Sequence, residues 1–217
     1  MPRTGQGIRP GFDHNSRPGN KIATVAVYRL ARSGGGVTTE SMDEKRRKFE
    51  MQALPHMDAA YNFARWLTRS PVEAEDIVQE AMLRAFRSFD GFRGTDVKPW
   101  LLTIVRNCFV TSRSRKPDLP VPEADDADPA FTDAAPNPEA VAISADNLRK
   151  LNLLVAGIPA EFREVLLLRE MEDLSYRDIA RITGTPIGTV MSRLARARAM
   201  LKEAWLDRVE GARNAVQ

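Results

Sequence analysis

Thr189, Ser192, Arg193 and Arg196 recur at intervals of three and four residues, so on a helix they form one narrow strip of hydrogen-bond donors. Two hydroxyls beside two guanidiniums can contact phosphate oxygens and the acceptor edge of guanine in a major groove. That is the chemistry of reading a nucleic acid, not of breaking a bond. Asp76, Gln79 and Glu80 form a second set, an acidic helix face able to pair with basic residues of a partner. Groups suited to catalysis are scarce. His14 and His56 stand alone, no Gly-Lys-Ser/Thr phosphate loop occurs, and the single Cys108 shares an apolar stripe with Trp100 and Ile104, where a thiol packs as a small hydrophobe. Neither enzymatic chemistry nor a metal or other cofactor is expected.

The charge distribution supports a nucleic-acid partner. The 217 residues carry a net charge of +3, but Pro117 to Asn147 holds eight acids and no Lys or Arg, which leaves +11 on the remainder. Two basic modules joined by a solvated, flexible acidic linker fit this pattern. No apolar run approaches the roughly 18 residues of a membrane helix. The first residues lack the apolar core of a secretory signal, and one cysteine cannot form an internal disulfide, so the cytoplasm is the expected compartment.

The elements that must position these residues are helical throughout, and the expected fold class is all-α, with two small helical domains. Residues 1–44, rich in Gly, Arg, Ser and Pro, read as a disordered extension, with Met42 as a candidate translation start. The first domain, residues 45–116, is predicted to hold three helices. One runs from Phe49 to Leu67. A second, to about Ser88, starts at a capping box of Ser70, Pro71 and Glu73 and buries Ala74, Ile77, Val78, Ala81, Met82, Ala85 and Phe86. The third, Pro99 to Ser114, buries Trp100, Leu101, Ile104, Val105, Cys108 and Phe109.

Residues 117–137 are the linker, 138–206 the second domain and 207–217 a tail. Helices are expected over Pro138–Ala156 and Ala160–Met171. Ser175 with Asp178 opens a short helix, Tyr176 to Ile182, and Thr183-Gly184-Thr185 makes a turn. Thr185 then caps a long helix that begins at Pro186, ends near Trp205 and packs through Val190, Leu194, Ala197 and Leu201. A short helix, a glycine turn and a basic helix are the pattern of a helix-turn-helix.

Two stretches carry a resemblance. Asp76-Ile77-Val78-Gln79-Glu80 followed by Phe89-Asp90-Gly91-Phe92-Arg93-Gly94, and Ser175-Tyr176-Arg177-Asp178-Ile179-Ala180 followed by Pro186-Ile187-Gly188-Thr189-Val190-Met191-Ser192-Arg193, closely resemble bacterial extracytoplasmic-function sigma factors, group IV of the sigma-70 family. The resemblance implies an alternative sigma factor, for a stress or envelope response, that binds RNA polymerase core through the β′ clamp and β flap and recognises promoter DNA. It places Asp76, Gln79 and Glu80 on the polymerase. Phe92, Arg93, Trp100, Arg106 and Asn107 fall on the minus-ten element, and Arg177, Thr189, Ser192, Arg193 and Arg196 on the minus-thirty-five element. An anti-sigma factor is the implied further partner. Met191 departs from the basic residue that many members carry. A sigma-like helix-turn-helix regulator or an anti-sigma-binding mimic without polymerase activity is the alternative, but it would need an additional domain for which this length leaves little room.

Overall fold

The computed structural model describes residues 39–115 and 150–214, with side chains from 42 to 115 and from 150 to 208. The extension up to residue 38, the acidic linker and the first part of the helix expected from Pro138 lie outside them.

The first helix, α1 (Thr39–Ala53), begins within the stretch expected to be disordered, so residues 39–44 belong to the folded unit. Charge pairs one turn apart, Lys48 with Glu44 at 2.7 Å and Arg46 with Glu50 at 3.6 Å, support it. The single helix expected from Phe49 to Leu67 is in fact broken. Pro55 has no N–H to donate and its ring clashes with the carbonyl one turn back. The chain therefore tightens into a 3-10 turn, Leu54–His56, before α2 (Met57–Thr68) resumes. Arg69 closes α2 in the left-handed conformation, its N–H bonded to the Arg65 carbonyl at 2.9 Å.

Helix α3 (Pro71–Ser88) follows the sequence closely. The Ser70 hydroxyl accepts from the Glu73 amide at 3.3 Å, and all seven residues of the expected stripe are buried. Asp96 Oδ1 accepts from the Lys98 amide at 2.9 Å where α4 (Val97–Arg115) begins, two residues earlier than expected. Its buried face is Val97, Pro99, Leu101, Leu102, Val105 and Cys108, while Trp100, Ile104 and Phe109 sit half-buried at the edge. The physical reason is that α4 has neighbours on several sides, α2 and α3 on one and the second module on another, so its apolar contact is wider than one stripe.

In the second module, helical residues 150–157 lead to α5 (Ala160–Glu170), which is buried from Arg163 through Leu168. The Arg163 guanidinium donates to the Ala156 carbonyl at 3.0 Å and so serves the end of the preceding helix. Burial, with Arg69 close by, lowers its pKa to about 10. Helix α6 (Tyr176–Thr183) and α7 (Ile187–Asn214) complete the module, and α7 runs well past the expected end at Trp205. The two modules are packed on each other, α4 against α6 and α2 against α5, and share a continuous apolar core. Among the described residues there is no strand, and no helix is long and apolar enough to cross a membrane.

Candidate polymerase and promoter interfaces

Three surfaces gather the residues singled out in the sequence. The first lies on α3. Asp76 and Glu80 are exposed and Gln79 is half-buried, because the opposite side of the helix carries the buried stripe. Glu80 Oε1 accepts from Arg84 Nε at 2.6 Å, one turn on. Glu73, Asp76, Glu80 and Arg84 line a shallow cleft of about 370 Å³ with Thr111 and Arg115 of α4, and Cys108 lies at its floor. Burial pushes the Cys108 thiol up from its ordinary pKa, against a smaller opposing pull from Arg84, so the neutral thiol is favoured.

The second surface is the loop between α3 and α4. Phe49 meets Phe86 and Phe89 edge to face, at centroid distances of 5.3 and 5.2 Å, which fixes the base of the loop. Beyond it Phe92 lies on Trp100, with centroids 4.8 Å apart, and both rings keep one side partly open. Arg93 is exposed and donates to the loop carbonyls of Asp90 at 2.6 Å and Phe92 at 3.3 Å. Asn107 is exposed on α4, about two turns beyond Trp100 on the same side. The structure therefore gathers Phe92, Arg93 and Trp100 at one point with Asn107 below them. Arg106 is turned elsewhere, toward Glu164 of α5 at 2.6 Å.

The third surface is the outer side of α7. Gly184 adopts the left-handed conformation with φ 65°, which only glycine takes without strain, and so redirects the chain between α6 and α7. Ser175 caps α6 by accepting from the Asp178 amide at 3.1 Å, as the sequence implied. The start of α7 differs by one residue from the expectation. Pro186 supplies the first carbonyl, to the Val190 amide at 3.1 Å, while the Thr185 hydroxyl pairs with that of Thr183 at 2.8 Å and does not cap the helix. Val190, Leu194 and Ala197 are buried, and Leu201 is partly so. Ser192 and Arg196 are exposed, Thr189 and Arg193 half-exposed, and Arg177 projects from α6. Neither Arg193 nor Arg196 is paired with an acid among the described residues, whereas Arg198, off the strip, is held by Glu170 at 2.6 Å. Met191, 53% exposed, puts an apolar side chain beside the strip.

Comparison with known proteins assigns both modules. Residues 54–116 match the family Sigma-70 region 2, and residues 148–201 match Sigma-70, region 4. The chain is 34% identical over 189 residues to the ECF RNA polymerase sigma factor SigE of Mycolicibacterium smegmatis, covering 86% of this chain and 69% of that protein. The chain belongs to the extracytoplasmic-function RNA polymerase sigma factors. With the ECF RNA polymerase sigma-E factor of Haemophilus influenzae it shares 33% identity over 180 residues, 76% of this chain and 94% of the relative. Among solved structures it is similar to the sigma factor RpoE of Bartonella quintana, crystallised with the anti-sigma factor NepR, at 28% identity and a TM-score of 0.61, covering 73% of this chain and 97% of that one. It is an alternative sigma factor, an initiation factor for transcription by RNA polymerase.

Some residues of this sigma factor that shape the surfaces escaped the sequence reading. Lys45 stands in the basic run Lys45-Arg46-Arg47-Lys48, where a solvated side chain is the usual outcome. Its ammonium instead bridges to Asp90 at 2.5 Å and lies 5.0 Å above the Phe86 ring, tying α1 to the aromatic loop. Lys98, Glu164 and Glu172 carried no local signal, because their partners are distant in sequence. Among the described residues, no group of three or more His, Cys, Asp or Glu is placed to hold a metal.

Proposed function

We propose that the sigma factor, of group IV, works through these three surfaces in sequence. The acidic face of α3 (Asp76, Gln79, Glu80) pairs with basic residues of the polymerase β′ clamp, an electrostatic match that speeds and orients docking. The second module meets the β flap. The loop between α3 and α4, with Phe92, Arg93 and Trp100, stacks on a base drawn out of the minus-ten element, and Asn107 supplies an amide to a base edge. The strip Thr189, Ser192, Arg193 and Arg196 enters the major groove at the minus-thirty-five element, with Arg177 on the backbone nearby.

The observation that carries this reading is the outward turn of the α7 strip. Gly184 sets the angle of α7 and Val190 and Leu194 pin its inner side, which leaves two unpaired guanidiniums on the outside. The protein would act in the cytoplasm, in a stress or envelope response, under an anti-sigma factor as the related RpoE is in its crystal. Co-purification with core polymerase, followed by run-off transcription on genomic fragments, tests it. Core binding with specific transcripts is expected; a chain that binds DNA but leaves core polymerase inert would instead be a helix-turn-helix regulator.

A further inference from the structure

The outer side of α7 carries two parallel ridges, each built from residues four apart. One holds Gly188, Ser192 and Arg196 and so includes two members of the donor strip. The other is apolar from end to end. Ile187, Met191, Ala195 and Ala199 are all exposed, Ile187 at 45% and Met191 at 53%. This ridge contributes nothing to the core, because the buried stripe of Val190, Leu194 and Ala197 lies on the other side of the helix.

The charges around the ridge define the surface that would cover it. From Thr185 to Lys202 the chain holds Arg193, Arg196, Arg198 and Lys202 and no acid. Even with Arg198 neutralised by Glu170, three cations remain. A matching surface must therefore be anionic and still present an apolar group to a ridge one side chain wide. Duplex DNA does both, since phosphates border the major groove and the 5-methyl group of thymine projects from its floor. RNA carries the same charge without that methyl.

We propose that Met191 reads a thymine. Its thioether arm packs on the 5-methyl group of a thymine in the minus-thirty-five element, with Ala195 alongside, and so selects a T·A pair at the step that faces it. This rests on the groove-reading assignment of the α7 strip and adds to it a residue that gives base preference without a hydrogen bond. Met191 stands in the second turn of α7, near the end of a recognition helix that lies deepest in the groove. Its unbranched, polarisable side chain adapts to the shape of a base edge. Gly188, one turn earlier, has open space beyond its backbone and no side chain to hold the base away. A guanine at the same step would set its O6 and N7 acceptors against a side chain with no donor, so both would lose water and gain no partner. A basic residue at this position favours guanine; Met191 reverses that preference.

The test uses the full chain assembled with RNA polymerase core. Selection from a duplex promoter library randomised over the upstream element gives the preferred sequence for the wild-type chain, Met191→Ala and Met191→Arg. All keep the buried stripe intact, and circular dichroism checks that they fold alike. Each thymine of the selected element is then replaced singly by deoxyuridine, which removes the methyl group and keeps every hydrogen-bonding group. At one position this is expected to weaken wild-type binding about fourfold, the worth of one buried methyl-sized group. Met191→Ala should show no such loss, and Met191→Arg should select guanine there. Wild-type binding indifferent to deoxyuridine at every position, the result expected if the ridge covers a protein, would overturn the thymine contact. An equal loss in Met191→Ala would do the same. Arg196→Ala in the same selection separates the two readings. An element that this variant alters, but at which deoxyuridine has no effect, removes the Met191 contact and leaves the groove assignment standing; a selection that enriches no upstream sequence with any of the chains removes both.

Discussion

The Phe92 ring rests on Trp100 with centroids 4.8 Å apart and planes inclined by 38°. Gly94 makes this possible, because a Cβ at that position would lie 2.6 Å from Phe92 Cε2. Gly94→Ala should push the ring off Trp100 without disturbing the helices, since the ring edge is half-exposed and free to swing. Helix content by circular dichroism is expected to stay at the wild-type level, while permanganate reactivity at the start site of an open promoter complex falls several-fold. Unchanged melting would show that the Phe92 position does not matter to base capture.

Charge reversal of Asp76 and Glu80 to Lys should weaken binding to core polymerase by an order of magnitude or so with little loss of stability. Both side chains are exposed, and the lost pair of Glu80 with Arg84 is a surface contact on one helix, contributing only a few tenths of a kcal/mol. Competition with the wild-type chain for core checks this. Equal competition would place the polymerase contact elsewhere.

Arg193→Ala and Arg196→Ala should leave the domain folded, because the stripe of Val190, Leu194 and Ala197 is untouched. A bidentate guanidinium contact to guanine is expected to cost about 1–3 kcal/mol on removal and to relax preference at one upstream base pair. A phosphate contact would weaken all sequences alike and reduce the salt slope by about one unit. Binding to single-base-substituted upstream elements over a salt series distinguishes the two. If affinity, selectivity and salt slope all stay constant in both variants, α7 does not read DNA through this strip.

Ser70→Ala removes the acceptor of the Glu73 amide at the start of α3 and should cost about 1 kcal/mol, read as a lower urea midpoint at constant slope. The change acts on stability and not on the acidic face, so core affinity measured on the folded fraction should hold.

Cys108, 4% exposed and with its thiol pKa raised by burial, should react slowly with iodoacetamide at neutral pH. A raised folded-state pKa lowers the thiolate fraction, and access is blocked as well. Alkylation in urea is expected to be at least about tenfold faster than in the native chain. Comparable rates would show that the cleft beneath Glu80 opens readily.

What the sequence by itself determined is what local forces govern. The serine N-caps at Ser70 and Ser175, the left-handed turn at Gly184 and the 3.6-residue stripe of α3 each depend on residues within a turn or two, and each stands where the pattern put it, although the Ser70 amide donates to Thr68 and not to Glu73, so the expected capping box there is only half formed. The outward strip of α7 follows from the same period. Tertiary structure decided the rest. The periodic pattern ran through Pro55, but the missing amide broke the helix there. The inner face of α4 broadened, leaving Trp100 at the rim, because helices press on it from both modules. Arg106 turned away from the neighbours of its own helix because Glu164, 58 residues later, offered a partly desolvated carboxylate at 2.6 Å. Neither residue records that partnership in its own stretch of chain; it exists only once the two modules have met.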